Sequence, residues 1–198
     1  NATSHLKQRF ILNLDIKDFF GSITERRVFG ILYAIGVPSD AAETVARICC
    51  YGGHLPQGGP ASPVLSNMVC FRLDRALLKL AKDSKCIYTR YADDISLSSL
   101  RPLTALFDGP LPPTGHVAPE LLSAALQAAF ASNGFALNPE KVHYADRHSR
   151  RVVTGLKVNE GLNVDRRFVR NVRAALYAVE KDAVAAQARY AADFSGKA

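Results

Sequence analysis

Cys86-Ile-Tyr-Thr-Arg-Tyr-Ala-Asp-Asp-Ile-Ser-Leu-Ser98 is the stretch on which the reading of this chain turns. Two short β-prone runs, 86–91 and 95–98, bracket Ala92-Asp93-Asp94, the pattern of a hairpin with two acids at its tip. Upstream, Phe10-Ile-Leu-Asn-Leu-Asp-Ile16 alternates in part and is rich in Ile and Leu, so it predicts a buried strand ending near Asp15. Asp18 follows shortly after. Carboxylates at the ends of apolar strands are costly. Two like charges about 4 Å apart repel by roughly 1 kcal/mol in bulk water, and by several times more when partly buried. A divalent cation removes that cost. Mg²⁺ prefers one or two carboxylates together with waters and phosphate oxygens. Two such ions about 3.5–4 Å apart clamp the attacking and leaving oxygens of an in-line phosphoryl displacement. If Asp15 meets the Asp93–Asp94 tip, these acids suit metal-assisted phosphoryl transfer. Taken singly, each fragment reads more simply as a polar turn or a strand end.

The rest of the chain supplies helices and loops. Ser22 and Glu25 have capping-box spacing, opening a helix through Val28, Ile31, Leu32 and Ile35 that stops at Gly36. Pro38 and Ser39 open a second helix, through Val45 and Ile48. Gly52 to Pro60 is a shaped loop, and Ser62-Pro63 restarts a single helix whose apolar stripe runs from Val64 to Leu80. Residues 101–119 hold Pro102, Pro110, Pro112, Pro113 and Pro119, which predicts a long surface loop. A helix over 119–132 ends at Gly134, short strands follow at 142–144, 151–156 and 162–164, and 166–190 reads as one helix rich in Ala and Arg. The order is α+β with antiparallel pairing.

Composition bounds the function. In 198 residues, 48% hydrophobic and 22% charged content excludes a disordered chain. Lys+Arg 25 against Asp+Glu 18 leaves +7, an excess that suits a polyanionic partner. No apolar run approaches the roughly 20 residues of a membrane helix, and no signal peptide is present, so no membrane partner is expected. Cys49, Cys50, Cys70 and Cys86 form no metal-ligand spacing and predict four buried thiols in a reducing cytosol. His143, Asp146 and His148 read as a polar loop rather than a metal site. The chain opens on Asn1 rather than Met, which predicts a piece of a longer protein.

Tyr91-Ala-Asp-Asp94 resembles the YxDD signature of reverse transcriptases. Leu14-Asp-Ile-Lys-Asp-Phe-Phe20, Leu55-Pro-Gln-Gly-Gly-Pro-Ala-Ser-Pro-Val-Leu-Ser-Asn67 and Gly134-Phe-Ala-Leu-Asn-Pro-Glu-Lys141 resemble three further motifs of the same enzymes, in the right order. Asn1-Ala-Thr-Ser-His5 and Val153-Thr-Gly155 resemble marks of the retron branch. The resemblance implies a polymerase palm, an antiparallel sheet with packed helices on a ferredoxin/RRM-like core. The palm and part of the fingers would occupy 1–164, and the start of the thumb 165–198.

It also implies roles. Asp15, Asp93 and Asp94 match the acids that hold two Mg²⁺ ions, with Mn²⁺ as a substitute, and Lys141 matches a residue that protonates departing pyrophosphate. Phe20 matches a steric gate that selects dNTPs, while Phe19 beside it suits the core. Asp18 and Phe19 belong to the segment whose backbone amides face the triphosphate, and Gln57 and Gly58 match residues near the incoming nucleotide and template. Arg166, Arg167, Arg170 and Arg173 recur on one helical face, suited to the phosphates of a primer–template duplex. The implied partners are an RNA template, a cognate structured non-coding RNA, dNTPs and, for a retron, an effector protein in antiviral defence, in the bacterial cytoplasm. The upstream fingers cations and a complete thumb are missing from the resemblance. Other readings are an abortive-infection or group II intron enzyme, or an idle nucleic-acid-binding palm.

Overall fold

The computed structural model describes residues 1–194. Its centre is a five-stranded antiparallel sheet in the order β2-β3-β1-β5-β4, built from β1 (Phe10–Asp15), β2 (Ile87–Tyr91), β3 (Asp94–Ser99), β4 (Gly115–His116) and β5 (His143–Ala145). Alternation along β1 assigns its two faces. Leu12 and Leu14 are buried with Ile95 and Leu97 in the main core, where each Leu gains about 1.5–3 kcal/mol over exposure. Ile11, Asn13 and Asp15 point to the opposite face, opposite Ser98, Ser96 and Asp94 of β3.

Helices cover the first face: α1 (Glu25–Ala34), α2 (Ser39–Cys49), α3 (Ser62–Val69), α4 (Phe71–Asp83) and α5 (Ala124–Ala131). Leu73, Leu77 and Ala81 of α4 recur every four residues and are buried, the period of a helix laid on a core. Part of the second face is covered by the 3₁₀ turn Ala2–His5 and by the hairpin β6 (Val152–Val153) and β7 (Leu156–Lys157). There Ile11 packs in a small cluster with Ala2, Val153 and Val158.

Several expectations from the sequence are corrected. The cap of α1 is Thr24, whose side chain accepts from the Arg27 amide; Ser22 instead donates to the Phe19 carbonyl. The expected helix over 62–80 is two helices meeting at Cys70, and Val64 of its stripe is 63% exposed. The proline-rich segment 101–119 is no mere surface loop, because Leu103, Leu106, Phe107 and Val117 are buried. The expected helix over 119–132 opens with a 3₁₀ turn, and α5 begins only after Ser123, whose hydroxyl accepts from the Leu126 amide. Residues 162–164 form no strand but a single bridge, Lys157 to Asn163. Of the four cysteines, all free, Cys70 alone is buried.

The C-terminal helix is also two, α6 (Arg166–Lys181) and α7 (Ala183–Phe194). Asp182 breaks them with extended backbone, and its carboxylate then accepts from the Val184 and Ala185 amides to start α7. No residue of α6 is buried, and its main neighbour is α7. The expected thumb segment therefore begins as a helix pair; its residues 195–198 lie outside the described residues.

Candidate active site

The antiparallel register between β1 and β3 pairs Asp15 directly with Asp94. Cross-strand partners share a face with Cβ atoms about 4.5–5.5 Å apart, so the two carboxylates are held side by side. Asp93 occupies the two-residue turn between β2 and β3, and its carbonyl accepts from the Ile16 amide at 3.1 Å. The hairpin tip is thereby tied to the end of β1. Strand β5 completes the site from the other side. Its pairing of Asn13 with His143 brings the segment just before β5 alongside Asp15. There Lys141 Nζ donates to Asp15 Oδ2 at 2.9 Å, Asn138 Nδ2 donates to Oδ1 at 3.1 Å, and the Asn138 amide donates to the Asp15 carbonyl at 2.8 Å.

The electrostatics follow from this crowding. Partial burial pushes the Asp94 carboxyl above its usual range, and the charges of Asp93 and Asp15 add to the push. Lys141 is held protonated by its hydrogen bond to Asp15, with the three acids nearby adding to the effect. Asp15 is 3% exposed, so its carboxylate oxygens must find partners inside the protein, and Lys141 and Asn138 supply them.

Among the described residues, no three His, Cys, Asp or Glu side chains form a ready-made metal cage. Mg²⁺ does not require one, since it keeps waters and binds through one or two carboxylates plus substrate phosphates. The donor set passes this test: it is all hard carboxylate oxygen, and it is short of positive charge beyond one ammonium.

The other sequence-predicted residues are distributed around the acids. Phe19 is buried and stacks on Phe135 with ring centroids 6.1 Å apart, so its side chain belongs to the core. Phe20 packs edge-on to Phe19 at 5.0 Å and is half-buried. With Pro63, Ser66 and Asn67 of α3 and Tyr91-Ala92 of the hairpin, Phe20 lines a cavity of about 300 Å³. Three separate sequence motifs meet there. Asp18 has φ +45°, and its carboxylate lies against Gly21, where a Cβ would clash with it. Gln57 and Gly58 are exposed on a loop that Leu55 anchors through its amide to the Ile23 carbonyl. The structure brings neither into hydrogen-bond contact with the acids. Arg166, Arg170 and Arg173 share a groove of about 550 Å³ with Asn163, Val164 and Val169. His148 and Asp146 form a local turn, with the Asp146 carboxylate accepting from the His148 and Ser149 amides.

Sequence reasoning missed four contributors. Asn138 lies inside a quoted motif, where its proximity to Lys141 was the available signal. Arg90 and Asp74 are paired beneath the hairpin, and a charged residue on a strand bound for the core was the clue. His5 was noted only as part of a pattern. Its ring lies 2.6 Å from Ser98 Oγ and 2.8 Å from Thr89 Oγ1, fastening the chain's start across β2 and β3.

An antiparallel sheet backed by helices, with acids at the adjoining ends of its central strands, is the palm of a nucleic-acid polymerase. Residues 1–158 match the family described as reverse transcriptase (RNA-dependent DNA polymerase), and the chain belongs to that family. It is 34% identical over 180 residues to the retron Ec86 reverse transcriptase of Escherichia coli, covering 89% of this chain and 51% of that protein. It is 34% identical over 194 residues to the retron Mx65 reverse transcriptase of Myxococcus xanthus, covering 89% and 42%. The retron Mx162 reverse transcriptase of the same organism is 32% identical over 202 residues, covering 89% and 41%. The chain thus spans about half the length of the curated relatives it matches, or less. Reverse transcriptase domains use divalent metal ions. Among the described residues, no helix is long and apolar enough to cross a membrane.

Proposed function

We propose that this chain carries the palm of a retron-type RNA-directed DNA polymerase. The observation that supports this most is the Asp15–Asp94 cross-strand pair, with Asp93 at the adjoining turn and Lys141 Nζ 2.9 Å from Asp15. The retron relatives and the Asn1–His5 and Val153–Gly155 patterns favour that branch over abortive-infection or group II intron enzymes.

Asp15, Asp93 and Asp94 would hold two Mg²⁺ ions, or Mn²⁺ in their place, which when bound activate a primer 3′-hydroxyl and neutralise charge on the triphosphate. The chain's own residues do the rest. Asn138 fixes the orientation of the Asp15 carboxylate. Lys141 keeps a proton on Nζ beside the acids, available to the departing pyrophosphate. The Phe20 ring walls the cavity beneath Tyr91-Ala92, where it would meet the sugar and exclude a 2′-hydroxyl. The Lys17 amide is taken up by the Ala136 carbonyl at 2.9 Å, so the backbone amides of Asp18 and Phe19 would face the phosphates, with Gln57 and Gly58 near the nucleotide and template. Arg166, Arg170 and Arg173 would follow duplex phosphates without reading sequence. The 1–164 palm with partial fingers and the 165–198 thumb start form our division of the chain. The template would be a cognate structured RNA, the substrates dNTPs, and the further partner an effector protein. The free thiols support a reducing compartment, the bacterial cytoplasm.

The test is Mg²⁺-dependent extension of a DNA primer on an RNA template. Asp93→Asn should reduce extension to background while nucleic-acid binding persists. Extension equal to that of the parent would overturn the metal assignment.

A further inference from the structure

We infer that Arg90 is a positioning residue that fixes the Ala92–Asp93 turn. The inference rests on the metal-binding reading of Asp93 above and assigns the residue that holds that acid in place.

Arg90 lies on β2, and its side chain is 6% exposed, so its charge and five donors must find partners inside the protein. Asp74 of α4 takes two of them in a forked pair: Nε to Oδ1 at 2.7 Å and Nη2 to Oδ2 at 2.7 Å. Tyr88 braces the same carboxylate, its hydroxyl donating to Oδ1 at 2.6 Å. With the guanidinium plane locked, its remaining donors have fixed directions. Nη1 donates to the Ala92 carbonyl at 3.0 Å, and Nη2 to Asn67 Oδ1 of α3 at 3.1 Å.

The turn needs such a hold. Ala92 has φ +53°, a left-handed conformation that costs a residue with a Cβ about 1–2 kcal/mol. Arg90 grips the carbonyl of this strained residue, and the Ile16 amide grips the next carbonyl, that of Asp93. The acid is therefore held from both neighbouring strands. A buried ion pair adds little stability over apolar groups of the same size. What this one adds is direction, which an ammonium could not reproduce, because it is a point charge without a rigid fork. The network also joins α3, α4, β2 and the turn around the cavity that Phe20 lines, so the acid and the gate share one support.

The test uses the whole chain, labelled with ¹⁵N, and Mn²⁺ as the metal probe. Arg90→Lys keeps the charge beside Asp74 but loses the fork. Amide order parameters at Ala92, Asp93 and Asp94 should fall from about 0.85 towards 0.6, while those of α1 and β5 stay unchanged. The Mn²⁺ dissociation constant should rise about ten-fold. Should Arg90→Lys not fold, a variant combining Arg90→Met, Asp74→Leu and Tyr88→Phe removes the network without leaving a lone charge, and the same two shifts are expected. Unaltered order parameters and Mn²⁺ affinity would overturn the assignment. So would failure of both variants to fold, which would make the network merely structural. Asp93→Asn separates the two readings. If it leaves Mn²⁺ binding intact, the metal reading fails, and the order parameters alone decide the role of Arg90.

Discussion

Lys141 Nζ and Asp15 Oδ2 lie 2.9 Å apart, joining positions separated by 126 residues. Lys141 thus holds the same carboxylate that the proposed metal would use, so the two cations would compete for it. Lys141→Met should destabilise the metal-free chain. The Lys side chain is 59% exposed, so the pair is worth at most about 1 kcal/mol. That corresponds to a loss of about 2–4 °C in melting temperature for a chain of this size. Saturating Mg²⁺ should restore most of it by taking over the neutralisation. Melting curves with chelator and with Mg²⁺ decide: an equal loss in both would show that Lys141 and the metal do not share Asp15.

Phe19 and Phe20 are adjacent but should respond oppositely. Phe19 is 4% exposed, so Phe19→Ala should cost about 3–5 kcal/mol in denaturant unfolding. Phe20→Ala should cost well under half of that and instead raise ribonucleotide incorporation relative to deoxynucleotide. Unchanged sugar selectivity would remove the gate role.

His5 supplies a pH dependence. Burial lowers its pKa from 6.5 to about 4. Below pH 6.5 the unfolded chain takes up a proton that the folded chain refuses, so this contribution is intact above pH 6.5 and is lost as the pH falls towards 4. The full loss is roughly 3 kcal/mol. His5→Gln, which keeps a hydrogen-bonding side chain but cannot titrate, should flatten the dependence of urea midpoints across that window. A variant with the parent's slope would assign the dependence to other groups.

Arg170 and Arg173 share the groove on α6. Each phosphate contact adds about 0.9 to the slope of log K against log salt for a duplex. Arg170→Ala and Arg173→Ala should each lower the slope by about that amount, with affinity falling alike for all sequences. A slope unaffected by both substitutions counts against phosphate contact on this face.

The acids were legible because their cost is local. A carboxylate at the end of an apolar run stands out in one dimension, and the register of β1 with β3 then brings Asp15 and Asp94 together as that pattern implied. The helices were legible by period but not by boundary. Cys70 and Asp182 break helices where the apolar or Ala-rich pattern runs on, because the pattern carries no record of a change in axis. Leu103, Leu106, Phe107 and Val117 were hidden by neighbouring prolines, which forbid regular structure without forbidding burial.

Residue type and order along the chain are sufficient for the family, and that much lies in the sequence alone. Tertiary structure decided which groups support the acids. Asn138 and Lys141 reach Asp15 only through the pairing of β5 with β1, and Arg90 reaches the Ala92 carbonyl only because Asp74 fixes its guanidinium from α4. The physical reason is range. Propensity and hydrophobic period act over a few residues, whereas hydrogen-bond partners of buried charges are chosen by strand register and helix packing between distant segments.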